Sequence, residues 1–238
     1  MKNNKEMKKY LIALTLCLSI FFMACDKDNF DGPNASFFGE IRDIDTGELI
    51  EQEAYHGSQI KYIEGGWANP QVQSMSFKED GSFRNNLMFS GTYKIILDDG
   101  NFVPLDTIFD FNIKNGDNFY VFNAQPYIRI LNASIEQEDN KIVARFTLEQ
   151  TTIEDVRSYG LVVHTDAHVS HSISEVAKIN KEIDRQIDLG GENFEIELDL
   201  SAYSDKMKKG NTYFFRVYAN SRGGTSKYNY SAVKAITL

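Results

Sequence analysis

Cysteine is nearly missing from this chain: of 238 residues, only Cys17 and Cys25 carry a thiol. Two cysteines cannot build a multi-disulfide scaffold or a thiolate metal cluster. Signature motifs of catalysis are missing as well. There is no Gly-x-Ser-x-Gly elbow, no Walker loop, no Gly-x-Gly-x-x-Gly turn and no His-Glu-x-x-His pair, which removes the commonest sequence routes to a hydrolase, a nucleotide enzyme or a zincin. Positive charge is in deficit, with 25 Lys and Arg against 34 Asp and Glu, so nucleic acid and anionic headgroups are poor partners. Proline is scarce, at four residues, and Trp67 is the only tryptophan. What is plentiful is Phe and Tyr, at 17 and 12, and these side chains fit a pleated surface better than a helix.

The amino terminus carries an address. Lys2, Lys5, Lys8 and Lys9 precede an almost unbroken apolar run from Leu11 to Ala24, which stops at Cys25. The run falls short of the roughly 20 residues a spanning helix needs and reads as a secretory signal. With Phe22 and Met23 replacing the commoner Leu and small residue, the segment resembles a bacterial lipobox, whose cysteine takes a diacylglyceryl group after cleavage. The other reading is an ordinary signal peptide with an incidental cysteine. Acyl chains contribute about 0.8 kcal/mol per buried CH₂, so two or three hold firmly. Residues 1–24 are thus expected to be removed and 25–34 to form a lipidated, flexible tether. Asp26, Asp28 and Asp31 make that tether resemble the acidic signal that sends Bacteroidetes lipoproteins to the cell exterior. Without the four lysines and Glu6 of the leader, 21 basic and 33 acidic residues remain, a net charge of −12. That surface keeps an anchored ectodomain soluble.

Period-two patterning dominates the remainder. Phe37, Gly39 and Ile41 alternate with Phe38, Glu40 and Arg42; Phe109, Phe111 and Ile113 with Asp110, Asn112 and Lys114; Ile142, Ala144, Phe146 and Leu148 with Val143, Arg145, Thr147 and Glu149; Phe194, Ile196 and Leu198 with Glu195, Glu197 and Asp199. Alternation predicts strands with one face on a core. Asp45-Thr46-Gly47, Asp80-Gly81, Asp99-Gly100, Asn115-Gly116, Gly190-Gly191 and Gly223-Gly224 supply turns between them. Short strands at regular spacing imply sandwiches or barrels. Only 173–189 is ambiguous. Ile173, Val176, Ile179 and Ile183 keep helical spacing, and Ile179, Ile183, Ile187 and Leu189 also fit a strand face. A short helix near 174–180 running into a strand is the expectation.

A boundary near Gln125-Pro126 separates two patterns. The first has Gly39-Glu40-Ile41-Arg42-Asp43 leading into Asp45-Thr46-Gly47-Glu48, then Asp80-Gly81-Ser82-Phe83 and Gly91-Thr92-Tyr93. These resemble the carboxypeptidase-regulatory-like domain, a transthyretin-like β-sandwich. The second has Tyr159-Gly160-Leu161-Val162-Val163, the run Gly210-Asn211-Thr212-Tyr213 entering a long alternating strand, and a last strand opened by Tyr230-Ser231-Ala232-Val233. It resembles a fibronectin type III-like sandwich. With the Asn29-to-Ala35 lead and the Pro126-Tyr127-Ile128-Arg129-Ile130 junction, the chain resembles a domain-of-unknown-function family of Bacteroidetes surface lipoproteins. Such proteins are typically encoded beside SusC/SusD-type outer-membrane glycan importers. The expected fold is all-β, with two tandem sandwiches at 35–126 and 127–238. The resemblance implies polysaccharide utilization as the setting and assigns no catalytic residue.

Candidate chemistry is thin. His164, His168 and His171 would share one face of a helix and hold a metal there; as a loop they would be solvated, so no metal site is expected. Asp43-Ile44-Asp45-Thr46-Gly47-Glu48 fails as a calcium loop, because glycine occupies a ligand position and Glu48 the required glycine's. No two of 33 carboxylates can be singled out for glycoside hydrolysis. Asp106-Thr107-Ile108 matches a short O-glycosylation motif of Bacteroidetes exported proteins. Trp67 lies in Gly65-Gly66-Trp67-Ala68-Asn69-Pro70. It would either fold back on its own domain or stand free and stack on a sugar, with Asn69 adding a hydrogen bond. Tyr228 and Tyr230 share a strand face and read as packing residues. The leading expectation is a non-catalytic, cofactor-free accessory lipoprotein of the outer membrane that binds glycan or the transporter. A structural or adhesive stalk is the alternative, and a metal-dependent hydrolase the weakest.

Overall fold

The computed structural model describes residues 31–53, 55–223 and 227–238. The expected leader 1–24, Cys25 and the tether as far as residue 30 lie outside the described residues. The described chain is all-β and divides into two domains that pack into one compact unit.

The first domain holds seven strands: β1 (Ala35–Asp43), β2 (Gln59–Glu64), β3 (Val72–Ser76), β4 (Ser82–Met88), β5 (Gly91–Ile96), β6 (Ile108–Ile113) and β7 (Gly116–Ala124). They form a three-stranded sheet, β4-β1-β7, and a four-stranded sheet, β3-β2-β5-β6. One core fills the space between them. Phe37, Ile41, Phe83 and Phe122 enter from the first sheet and Ile60, Tyr62, Tyr93 and Ile95 from the second. Phe37 and Phe83 meet edge to face at 5.0 Å, the preferred geometry for aromatic pairs. Strand β1 runs antiparallel to β4 and parallel to β7. Gly39 lies so close to β7 that a Cβ there would fall 1.7 Å from the carbonyl oxygen of Tyr120.

The alternation predicted for Phe109, Phe111 and Ile113 breaks at Asp110. That residue adopts φ 54°, and the β5–β6 register slips between Tyr93 and Ile95. The extra residue turns Phe109 outward to 66% exposure, while Phe111 and Ile108 pack on the core. Lys94 covers the exposed ring at 5.2 Å.

The second domain comprises β8 (Ile128–Glu138), β9 (Lys141–Gln150), β10 (Val156–His164), β11 (Ala177–Arg185), β12 (Glu192–Asp199), β13 (Thr212–Ser221), β14 (Tyr228–Tyr230) and β15 (Lys234–Thr237). Sheets β12-β9-β8 and β11-β10-β13-β14 face each other, with β15 also on β13. Ile142, Ala144, Leu148 and Ile196 meet Leu161, Val163, Phe215 and Val217 in the core. Tyr213 ties the crossover to its strand: its hydroxyl accepts from the Lys208 N–H at 2.7 Å and donates to the Lys206 carbonyl at 3.1 Å, the corner seen in immunoglobulin-like sandwiches.

The helix expected near 174–180 is not formed. Residues from Ala177 onward pair with β10 as an edge strand, Ile179 opposite Leu161. Ile179 and Ile183 pack on the core from that edge. Cross-strand pairing outweighs the weak helical spacing.

Two opposite ends of the first domain matter for function. Ala35 pairs with both Met88 and Gly116, Gly91 pairs with Ile113, and the Gly65 N–H donates to Thr92. Thus the hairpin tip 65–71, the turn 89–90 and Asn34 share one end of the domain. The opposite end meets the second domain through Asp43, Glu51, Gln52, Glu79 and Asn101.

Candidate functional site

Trp67 stands at the tip of the β2–β3 hairpin. Gly66 at φ 88° turns the chain there, and the ring is 64% exposed. It does not fold back on its domain. Asn69, two residues on, is exposed too. Val72, Leu87 and Phe89 are further exposed apolar side chains on the same end of the domain. A flat ring with wet neighbours is the chemistry that stacks on a sugar's apolar face or docks a partner.

The three histidines are not brought together. His164 closes β10 and pairs with Glu175, while its Nδ1 accepts the Asp166 N–H at 2.9 Å. His168 reaches across to Glu79 of the first domain. His171 stacks on Tyr228, ring centres 4.2 Å apart, and burial, helped by Lys178, lowers its pKa. Among the described residues no group of three or more His, Cys, Asp or Glu is placed to hold a metal ion.

The Asp43–Glu48 turn, rejected as a calcium loop, receives a guanidinium. Arg129 donates from Nε and Nη2 to Asp43 at 2.5 and 3.0 Å, from Nη2 to Asp45 at 2.5 Å and from Nη1 to Glu149 at 2.5 Å. Burial works against ionisation of Asp43, but Arg129 and the Asp45 N–H outweigh it and hold the carboxyl below its usual range. Arg216 is the other junction cation. It has no exposed surface and donates to Glu51, to the carbonyls of Gln52 and Ser231 and to that of Glu79. Its guanidinium lies 4.5 Å over the Tyr230 ring. Tyr230 in turn donates to Glu53 at 2.9 Å, and Ser172 donates to the same carboxylate.

Sequence reasoning missed both arginines. The signal was there in β13: Phe214, Arg216 and Tyr218 occupy the face opposite the core residues Phe215 and Val217. A strand with large side chains on both faces is covered on both. Tyr228 and Tyr230 pack on that outer face, as their shared strand face implied.

Beside this junction runs a cleft of about 590 Å³, lined by Glu48, Glu51, Asn132, Ser134 and Lys234. Its volume suits a small ligand, and such sites favour domain interfaces. Burial raises the pKa of Glu51, only partly offset by Arg216. The cleft's one ring, Tyr230, is 5% exposed, so the cleft has no stacking platform.

Family comparison agrees with this two-part architecture. Residues 35–124 match "Protein of unknown function (DUF3823) N-terminal domain", and residues 128–235 match "Domain of unknown function (DUF3823_C)". Neither family has an assigned activity. A solved structure from Bacteroides uniformis, described as a "putative carbohydrate binding protein", is 31% identical with a TM-score of 0.76, over 87% of this chain and 100% of that one. DUF3823 family structures from Bacteroides ovatus, at 22% identity and TM-score 0.71, and Parabacteroides merdae, at 16% and 0.72, share the fold. They cover 86% and 87% of this chain and 99% and 100% of their own. A search of curated proteins returns no match. The chain belongs to the DUF3823 family, in both its N-terminal and its C-terminal domain.

Proposed function

We propose that this protein is a non-catalytic, glycan-binding lipoprotein of the outer cell surface, accessory to a SusC/SusD-type polysaccharide importer. The observation that carries this is the 31% identity, across the whole of that chain, to the B. uniformis relative described as a "putative carbohydrate binding protein". The anchor is Cys25 and the acidic tether directs it outward. The two domains act as a transthyretin-like and a fibronectin type III-like module, the latter supported by the Tyr213 corner.

Trp67 is the stacking residue, with Asn69 contributing a hydrogen bond to a hydroxyl. Its position at the tether end of the first domain would hold a glycan near the membrane, where an importer works. The test is a polysaccharide panel titrated against the soluble chain. Trp67→Ala should weaken binding roughly ten- to a hundredfold. If no polysaccharide binds, the glycan reading fails and the tandem domains are better read as a stalk. For the anchor, Cys25→Ala should abolish lipid labelling and release the protein from membranes, and protease added to intact cells should degrade the wild type. Retention of the variant, or full protection of the wild type, would overturn the surface-lipoprotein reading.

A further inference from the structure

The outer face of the sheet β4-β1-β7 breaks the pattern of a polar wet side. On β7, Asp117 and Asn123 keep to it, but Phe119 between them is 58% exposed. Strand pairing sets three side chains in one row across the sheet. Phe38 of β1 lies opposite Arg84 of β4 on one side and opposite Phe119 of β7 on the other. Phe37, the next residue in sequence, fills the core from the inner face, so Phe38 belongs to the outer one.

The Arg84 guanidinium lies 4.4 Å over the Phe38 ring, a cation–π contact. Asn86 accepts from its Nε at 2.8 Å. Among the described residues Nη1 and Nη2 have no hydrogen-bond partner, and no carboxylate pairs with them. The carboxylates that share this face are engaged elsewhere: Glu40 with Arg42 at 2.6 Å, and Asp117 with Ser36. The row therefore holds a cationic fork in place, by a ring beneath it and an amide beside it, and leaves its outer donors unmatched. Phe119 stands next to this group. Phe38 is its one ring contact among the described residues, at 5.7 Å and tilted by 60°. A tilted contact does not cover a ring as a stack would, so Phe119 keeps a face to water.

We propose that this row binds a uronate unit of an acidic polysaccharide. A pyranose rests its apolar face on Phe119, and its carboxylate, or that of the next unit along the chain, meets the Arg84 guanidinium. A planar fork matches a carboxylate with two parallel hydrogen bonds, whereas a neutral sugar leaves the charge unanswered. The chain as a whole is acidic, with 34 Asp and Glu against 25 Lys and Arg. At physiological salt, charges beyond roughly 8 Å are screened, so the local guanidinium decides. The inference rests on the reading of this chain as a glycan binder. It names the ligand class and adds a contact on the sheet face, apart from the Trp67 hairpin tip.

Calorimetric titration tests it, with oligogalacturonate, uncharged cello-oligosaccharide and dextran sulfate as probes. The wild type should bind oligogalacturonate tightest, and more weakly as salt is raised. Arg84→Gln should weaken that binding about tenfold, and Arg84→Lys should recover only part of it, keeping the charge without the fork. Phe119→Ala should weaken it by about tenfold or more. Both side chains are exposed, so the melting curves should stay close to wild type. Affinity unchanged in Arg84→Gln and Phe119→Ala but lost in Trp67→Ala overturns the site and leaves the glycan reading standing. So does a large fall in the melting temperature of Phe119→Ala with unchanged affinity, which makes the ring a packing residue. Tighter binding of the neutral probe, or of dextran sulfate, than of oligogalacturonate overturns the ligand class. Absence of binding by the wild type to every probe overturns both readings together.

Discussion

Arg216 on β13 donates to the Glu51 carboxylate at 2.7 Å across the domain junction, from a position with no solvent-exposed surface. The pair is a second-domain cation held by first-domain oxygens, since the Gln52 and Glu79 carbonyls accept from the same guanidinium. Removing one partner of a buried pair is strongly destabilising, by about 3–5 kcal/mol, because the other polar groups are left unmatched. Arg216→Met should therefore lower stability by that order. Arg216→Met with Glu51→Leu should recover part of the loss. Urea unfolding of the single and double variants checks this; equal losses in both would mean that Glu51 is not the partner that matters.

Asp43 and Arg129 give the same junction a pH dependence. Burial opposes the Asp43 charge, yet Arg129 and the Asp45 N–H leave its pKa below normal. A carboxyl with a depressed folded pKa adds stability above its unfolded value, about 3.9, and loses it as pH falls through the folded value. Asp43→Asn should be less stable than wild type near neutral pH, and the gap should close in strong acid. Denaturation curves at about pH 7 and about pH 3 test the sign. A gap that widens in acid would refute it.

Gly39→Ala should disrupt the first domain. The added methyl would meet the Tyr120 carbonyl oxygen at 1.7 Å, and backbone in the middle of a parallel pair cannot move aside. Loss of β1–β7 pairing should appear as early hydrogen exchange at Phe119 to Val121, while the second domain's β9 and β13 stay protected.

Much of this fold was legible in the sequence because burial on one face writes a period of two. Ile142, Ala144 and Leu148 were read as core and are fully buried. The failures occurred where a single residue changes the period. Asp110 at positive φ turned Phe109 outward, and the edge strand at 177–185 imitated a helix near 174–180 because its polar face tolerates any spacing. The site was harder to see. Arg129 and Arg216 reach first-domain partners more than eighty residues away, Asp43 and Glu51, and such pairs leave no local pattern. Trp67 was visible because it is alone, although its exposure was not.

The scattered histidines predict indifference to metal. His164 and His168 are each engaged by a different carboxylate, Glu175 and Glu79, and His171 lies against Tyr228. Chelator treatment should leave the melting temperature unchanged. A fall of several degrees, reversed by zinc, would show that the three rings converge in solution.

Trp67 offers the cleanest optical test, since it is the only tryptophan in the chain. At 64% exposure its ring contributes little to the first domain's core. Surface substitutions away from packing usually change stability by no more than about 0.5 kcal/mol, whereas removing a buried Trp would cost about 3–5 kcal/mol. Trp67→Ala should therefore melt with the wild type. The free protein's emission should be that of a wet indole and open to quenching by iodide. Stacking on a sugar would shield one face, so a bound polysaccharide should shift the emission to shorter wavelength and reduce quenching. The same shift produced by phosphatidylcholine vesicles, and not by any polysaccharide, would mean that the ring and its neighbours Leu87 and Phe89 meet lipid instead. A large loss of stability in Trp67→Ala would mean that the hairpin tip closes on the domain after all, and that glycan contact lies elsewhere.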